Sequence, residues 1–243
     1  MNCIVPLAGP DFFQPSYGLK PLYNVDGEPL LLRALKSRAW YRSGRLLDPS
    51  LVFVLRRIQE AEQFASQLAT WFPGSRTVWL SDPSRGALLS ALAGSALVER
   101  PAAPVVIDLV DVLFDCDERL FDRCGKGISA VLPWFQSDDP VFSYAEIAAD
   151  GVSVLRTAEK NVISPHASAG VYGFADMPTW LESAAYGIAN SERLAVSGIE
   201  FVCPVMNGIV EKGGRVEAFE VSNAQPISKL FKAFHGESGC LSR

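Results

Sequence analysis

The chain has 243 residues, with 22 Lys and Arg against 27 Asp and Glu, a formal net charge of −5. Hydrophobic residues make up 49% and charged residues 20%, the balance of an ordinary folded domain rather than a disordered chain. There is no basic excess to neutralise phosphates along a duplex, which excludes a general nucleic-acid-coating role. The opening MNCIVPLAGPDFF has no basic n-region and reaches Pro6 early, so it does not read as a signal peptide. The apolar stretch Ala87 to Val98 is 12 residues, short of the roughly 20 that a membrane helix needs. No membrane insertion is expected, and a cytoplasmic location is the default expectation. Five cysteines, none in C-x-x-C spacing, argue against a disulfide framework or a structural zinc site. Two histidines, His166 and His235, are too few for a multi-histidine metal centre.

Apolar segments alternate between two periods along the first half. Cys3 to Leu7 reads as a strand, and Pro29 to Trp40 as a helix through Leu31, Leu32, Leu35 and Ala39. Leu51 to Leu55 is a strand. Ile58 to Phe72 is a helix with Ala61, Phe64, Ala65 and Leu68 on one face. Thr77 to Leu80 is a strand, Gly86 to Val98 a buried helix, and Val105 to Leu109 a continuous apolar strand of the kind found at the centre of parallel sheets. Strands separated by helices imply right-handed crossovers. Ligands of such sheets bind beyond the carboxyl ends of the strands, which directs attention to the loops after Leu7, Leu80 and Leu109.

The second half changes character. Phe142 to Ala148 and Val152 to Thr157 flank Asp150-Gly151, the signal of a tight hairpin. Ser168 to Phe174 reads as a strand, and Pro178 to Asn190 as a helix. Pro204 to Lys212 reads as a short helix ending at Gly213-Gly214. Val216 to Val221 reads as a strand and Pro226 to Phe234 as a closing helix with Pro at its start. No linker-like run or repeat divides the chain. The expectation is one domain over residues 1–243: a three-layer α/β/α sandwich with a mixed, mostly parallel central sheet and a hairpin subdomain at about 140–160.

Six places in the chain call for a chemical reading. The loop from Ala8 to Val25 leaves the first strand at Ala8-Gly9, where a glycine lets backbone N–H groups approach a phosphate, and Lys20 offers a point charge to the same group. The plain alternative is a long Gly- and Pro-rich connection. Asp111, with Asp108 nearby, stands at the exit of the central strand, where a carboxylate suits Mg²⁺ or simply caps a turn. In Asp115-Cys116-Asp117 the two carboxylates are spaced to hold a metal, but the second Asp reads better as a cap for the residues that follow. Glu159-Lys160 is either a contact for sugar hydroxyls and phosphate or a solvated surface pair. His166 reads as a hydrogen-bonded structural histidine, and Arg85 as an anion contact at a helix start or an exposed side chain.

The order of these pieces resembles the sugar-phosphate nucleotidyltransferase family, from about Cys3 to Phe234. Ile4-Val5-Pro6-Leu7-Ala8-Gly9 resembles its first strand and nucleotide loop. Lys20-Pro21-Leu22 followed by Val25-Asp26-Gly27-Glu28-Pro29-Leu30 resembles its K-P-L and v-x-G-x-P-[ML] segments. Ser84-Arg85-Gly86-Ala87 resembles the segment that packs on the base. Asp111-Val112-Leu113-Phe114 resembles G-D-x-x-F, Glu159-Lys160 the E-K motif, and Ala169 to Phe174 the A-G-x-Y-x-F motif. The resemblance implies transfer of a nucleotidyl group from a nucleoside triphosphate to a sugar 1-phosphate or similar phosphorylated alcohol, releasing pyrophosphate. It implies catalytic roles for Lys20 and Asp111 and nucleotide contacts at Leu7, Ala8, Gly9 and Gly86. It further implies sugar contacts at Glu159, Lys160 and Gly170, and Mg²⁺ held by Asp111 with Asn223 at the second ligand's place. Its partners would be a nucleotide and a sugar phosphate, with polysaccharide biosynthesis as the setting. A homo-oligomer is compatible with the apolar segment Ile227 to Phe234.

The sequence departs from the family where the chemistry is done. The family's first loop reads G-x-G-x-R, with Arg bracing the triphosphate; here Pro10-Asp11-Phe12-Phe13-Gln14 follows Gly9. Val110 stands where the family has Gly, and Asn223 where it has a second Asp. Two alternatives therefore stand beside transfer. One is a catalytically impaired relative that binds a nucleotide, a nucleotide sugar or a protein partner. The other is a glycosyltransferase using Asp115-Cys116-Asp117.

Overall fold

The computed structural model describes residues 1–227. Four mutually parallel strands form its N-terminal half: Asn2–Pro6 lies between Leu51–Arg56 and Val105–Asp108, and Arg76–Leu80 flanks Leu51–Arg56 on the outside. Because side chains alternate along a strand, Cys3 and Val5 enter one core while Ile4 enters another. Leu51, Phe53 and Leu55 follow the first pattern, and Val52 and Val54 the second. The helices Leu30–Ser37 and Gln59–Trp71 cover the first face with Leu31, Leu35, Phe64 and Leu68. The helices Ala87–Ser95 and Met177–Ala189 cover the second with Leu88, Ala91, Trp180 and Ala184. The result is the expected α/β/α sandwich.

Beyond Val105–Asp108 the sheet becomes antiparallel. Val171–Phe174 pairs with Val105–Asp108 on one side and with Ala130–Gln136 on the other. The segment expected as a single strand from Ser168 is two, His166–Ser168 and Val171–Phe174, separated by a bulge at Ala169-Gly170 where Gly170 has φ +74°. The hairpin Ser143–Ile147 and Val154–Glu159 joins the sheet through Tyr144 opposite Ala167, so it extends the main sheet. Val216–Glu220 runs parallel to Ala130–Gln136.

Other expectations are corrected in detail. The helix at Pro29 to Trp40 stops at Ser37. Arg38 is extended (ψ 128°), and a separate turn, Ala39–Arg42, follows. Pro204 to Lys212 is a 3₁₀ turn, Cys203–Met206, running into the helix Asn207–Glu211. Pro226 does not begin a helix: it ends the strand Ser222–Pro226, which pairs with Val112–Asp115. The remainder of the closing segment to Phe234 lies outside the described residues. Ala130–Gln136, unexpected from the sequence, is a core strand carrying Pro133. Pro133 is tolerated where the neighbouring strand bulges, and its carbonyl accepts the Ala169 N–H at 2.9 Å.

Candidate active site

The carboxyl ends of the parallel strands open into a cleft of about 360 Å³. Leu7 and Gly9 reach it from the first strand, Lys20 from the loop, Gly86 from a helix start, Asp111 from the central strand's exit, and Lys160 from beyond the hairpin. Six candidates from well-separated segments thus share one wall or another of a single cleft.

Lys20 is its electrostatic centre. Its Nζ lies 2.6 Å from Asp11 Oδ2 and 2.8 Å from Asp111 Oδ1. Burial works against its charge, yet Asp111 and Asp11 together hold the ammonium above the ordinary lysine value. Asp11, which follows Pro10 in the altered first loop, is therefore the direct partner of the candidate phosphate-binding cation. It sits in a 3₁₀ turn, Pro10–Phe12, that is closed on itself. The Phe12 N–H donates to the Gly9 carbonyl at 3.1 Å, and Tyr17 Oη donates to the Asp11 carbonyl at 2.8 Å. Phe12 itself is buried against Phe64, with ring centroids 6.2 Å apart.

Asp111 is aimed by a device that sequence reading missed. Arg38 and Asp108 form a fully buried bidentate pair, Nε to Oδ2 at 2.8 Å and Nη2 to Oδ1 at 2.9 Å. Arg38 Nη1 also donates to the Val112 carbonyl, and Asp108 Oδ1 accepts the Val110 N–H, both at 2.9 Å. The pair thus grips the residues before and after Asp111. Arg38 falls inside the segment expected as one helix, Pro29 to Trp40; the break at Ser37 turns it inward.

The loop bearing Gly86 is built for close approach. At φ +132°, a Cβ there would stand 2.0 Å from the Glu200 carbonyl oxygen. Glu200 N–H donates to the Arg85 carbonyl at 2.7 Å, so the segments around Arg85 and Glu200 are joined by backbone. This places Ile199 and Phe201 in the cleft wall, two residues with no sequence signal beyond their hydropathy. Lys160 Nζ lies 5.1 Å from the centroid of the Phe201 ring.

Other candidates lie elsewhere. Ala8 is fully buried and Gly170 is a core bulge whose carbonyl accepts the Leu109 N–H at 2.9 Å. A Cβ on Gly170 would come within 3.9 Å of the Asp111 Cβ, so it packs behind Asp111. Glu159 separates from its neighbour Lys160: it accepts a hydrogen bond from Ser143 and faces a second groove with Asn161 and Asn207. Burial pushes its carboxyl up to about 7, against the opposing effects of the Ser143 hydrogen bond and Lys160. Arg85 is largely exposed, with Nη2 3.8 Å from Glu200 Oε1. His166 is structural as expected, its Nδ1 3.2 Å from the Ala145 carbonyl and its ring edge-on to Trp134.

The Mg²⁺ site that the resemblance implies does not assemble from these residues. Asn223 Nδ2 donates to Asp115 Oδ2 at 2.9 Å. At Asp111 it is Ile227 that arrives, its N–H donating to the Asp111 carbonyl at 2.8 Å. Asp115 stands four residue steps beyond Asp111 along extended chain, roughly 13 Å, so Asn223 is not a co-ligand of Asp111. Among the described residues, no group of three or more His, Cys, Asp or Glu gathers around a common point. Asp115-Cys116-Asp117 does not join the cleft either. Asp117 accepts the Arg119 N–H at 2.8 Å, and Cys116 and Asp117 line a separate groove with Arg45 and Arg123.

No family model matches this chain, and no curated protein matches it by sequence. Solved structures do match. A nucleoside-diphosphate-sugar pyrophosphorylase from Vibrio cholerae superposes with a TM-score of 0.79 at 21% identity, over 97% of this chain and 100% of that one. A protein assigned as a glucose-1-phosphate thymidylyltransferase from Bacillus anthracis, solved with sucrose, gives 0.70 at 17% identity, over 100% and 97%. At these identities the likeness is one of fold, and over nearly its whole length this chain has the fold of the sugar-phosphate nucleotidyltransferases.

Proposed function

We propose that this chain acts on nucleotide sugars or their precursors. The nucleoside would lie between Leu7-Gly9 and Gly86, the phosphates at Lys20, and the sugar towards Lys160 and Phe201. The observation that supports this is the meeting of Lys20 and Asp111, 91 residues apart, at 2.8 Å in a cleft shared with Leu7, Gly9, Gly86 and Lys160. The reaction this arrangement serves is nucleotidyl transfer, in which a sugar-phosphate oxygen attacks the α-phosphorus and pyrophosphate leaves. Within it, the Lys20 ammonium neutralises charge on the phosphates, and Asp111 orients that ammonium. Backbone contacts at Gly9 and Gly86 orient the nucleotide. The described residues do not build a Mg²⁺ site, since Asn223 meets Asp115 and not Asp111.

A second reading is favoured by Asp11. A carboxylate 2.6 Å from Lys20 opposes the build-up of negative charge on a leaving pyrophosphate, which suits a relative that binds without turnover. The test pairs each common nucleoside triphosphate with a set of sugar 1-phosphates and follows pyrophosphate release beside a thermal-shift screen. Release supports transfer, and ligand-induced shifts without release support the binding relative. Neither shift nor release with any ligand overturns both.

A further inference from the structure

The phosphate end of the cleft is short of positive charge in two independent ways. Lys20 is matched by two carboxylates, Asp11 and Asp111, so it carries no surplus charge for an incoming anion. The other lysine of the lining, Lys160, stands over the Phe201 ring at the far side of the hairpin's exit. Two backbone N–H groups of the first loop are also engaged. Pro10 has no N–H, the Phe12 N–H is taken by Gly9, and the Leu7 N–H is taken by the Val54 carbonyl at 2.8 Å. The rest of the lining is mostly apolar, with Leu30, Leu31, Leu109 and Ile199 among its residues.

A terminal phosphate carries a second negative charge that a phosphate esterified on both sides lacks. Resting on the assignment of this cleft to nucleotide ligands, we infer that Asp11 sets the charge the site accepts. The cleft takes a nucleoside diphosphate sugar, both of whose phosphates are esterified, in preference to the triphosphate of the same base. Asp11 is the residue that enforces the choice, because its side chain is three-fifths exposed at the cleft mouth and contributes charge rather than packing. Each added phosphate oxygen approaching Lys20 must also approach Asp11.

The experiment compares dissociation constants by calorimetry for base-matched pairs: UTP with UDP-glucose, dTTP with dTDP-glucose, ATP with ADP-glucose and GTP with GDP-mannose. Each is measured with EDTA and again with excess Mg²⁺, on the wild-type chain and on Asp11→Asn. The expected result is tighter binding of one nucleotide sugar than of its triphosphate by the wild type. Asp11→Asn then shifts that ratio towards the triphosphate by about tenfold or more, the effect of removing one charge beside the phosphates. Circular dichroism and melting of Asp11→Asn should match the wild type, since the side chain is exposed. A triphosphate bound as tightly as its nucleotide sugar by the wild type, or a ratio unmoved in Asp11→Asn, overturns this inference and leaves the cleft's assignment standing. Binding of none of these ligands by either protein overturns the assignment and the inference together.

Discussion

Asp108 reaches past Leu109 to accept the backbone N–H of Val110 at 2.9 Å, and Val110 is held there at φ +53°. A β-branched residue in the left-handed region costs on the order of 1–3 kcal/mol and persists only where its surroundings over-determine it. Here they do. Arg38 fixes Asp108 with two hydrogen bonds and the Val112 carbonyl with a third, and its guanidinium stacks on Phe114 with Cζ 4.3 Å from the ring centroid. Asp111 is thus presented by a rigid backbone arch whose springers are a buried ion pair.

Removing one partner of that pair leaves an uncompensated buried charge. Asp108→Ala or Arg38→Met should each lower unfolding free energy by about 3–5 kcal/mol, measured by urea denaturation. The paired replacement Arg38→Met with Asp108→Leu should recover part of the loss, though not all, because the Val110 N–H and Val112 carbonyl lose their partners. A loss under about 1 kcal/mol in both single variants would mean that water reaches the pair and that it does not hold the arch.

Gly86 and Gly27 separate two uses of glycine. Gly27 has φ +90° in the Asp26-Gly27 turn with open space around it, so Gly27→Ala should cost about 1 kcal/mol from backbone strain alone. Gly86→Ala places a methyl group on the Glu200 carbonyl and must push apart the two loops that wall the cleft. It should cost about 3 kcal/mol or more and abolish ligand-induced stabilisation. Equal melting temperatures for the two variants would show that the Arg85–Glu200 contact yields easily.

The parallel half of the sheet was legible because each strand there is a short apolar run bounded by a helix with its own 3.6-residue period. What escaped was decided by contacts between distant residues. Ala130–Gln136 carries Pro133, a residue unsuited to a central strand, and only the bulge at Ala169-Gly170 makes room for it. Arg38 sits in a helical pattern, yet it leaves the helix because Asp108, 70 residues on, needs a buried partner. In the site, the order of motifs pointed to Lys20, Gly86 and Asp111, whereas spacing alone could not show that Glu159 turns away from Lys160. Nor could it show that Asn223 meets Asp115: a bulge at Asn223-Ala224, with Asn223 at φ +52°, sets the register of that ribbon.

Glu159 gives the fold a pH signature. Its carboxyl is raised to about 7 in the folded chain from an ordinary 4.5, by burial above all. The folded state therefore binds more protons than the unfolded state between those values, and stability falls as pH rises through that window. Glu159→Gln, which keeps a hydrogen-bond acceptor for Ser143, should flatten the dependence between about pH 4.5 and 7 relative to wild type, followed by urea denaturation at half-unit steps. An unchanged profile would place the carboxylate in water.

Lys20 tests the division between site and scaffold. It sits between two acidic groups on a loop, makes no contribution to either core cluster, and its partners are partly exposed. Ion pairs of that kind contribute about 0–1 kcal/mol to stability, so Lys20→Ala should melt within a few degrees of wild type. On the proposed function its ammonium is nonetheless the cation that would meet a phosphate. The same substitution should therefore weaken any nucleotide ligand found for the wild type at least tenfold, the loss expected for one charge-assisted hydrogen bond. Combining it with Asp11→Asn relieves the repulsion left between Asp11 and Asp111 and should recover stability, while affinity for a nucleotide sugar stays low because no ammonium faces its phosphates. If affinity returns in the double variant, the phosphates are held by backbone groups of the Gly9 and Gly86 loops, and Lys20 serves only to neutralise its two neighbours.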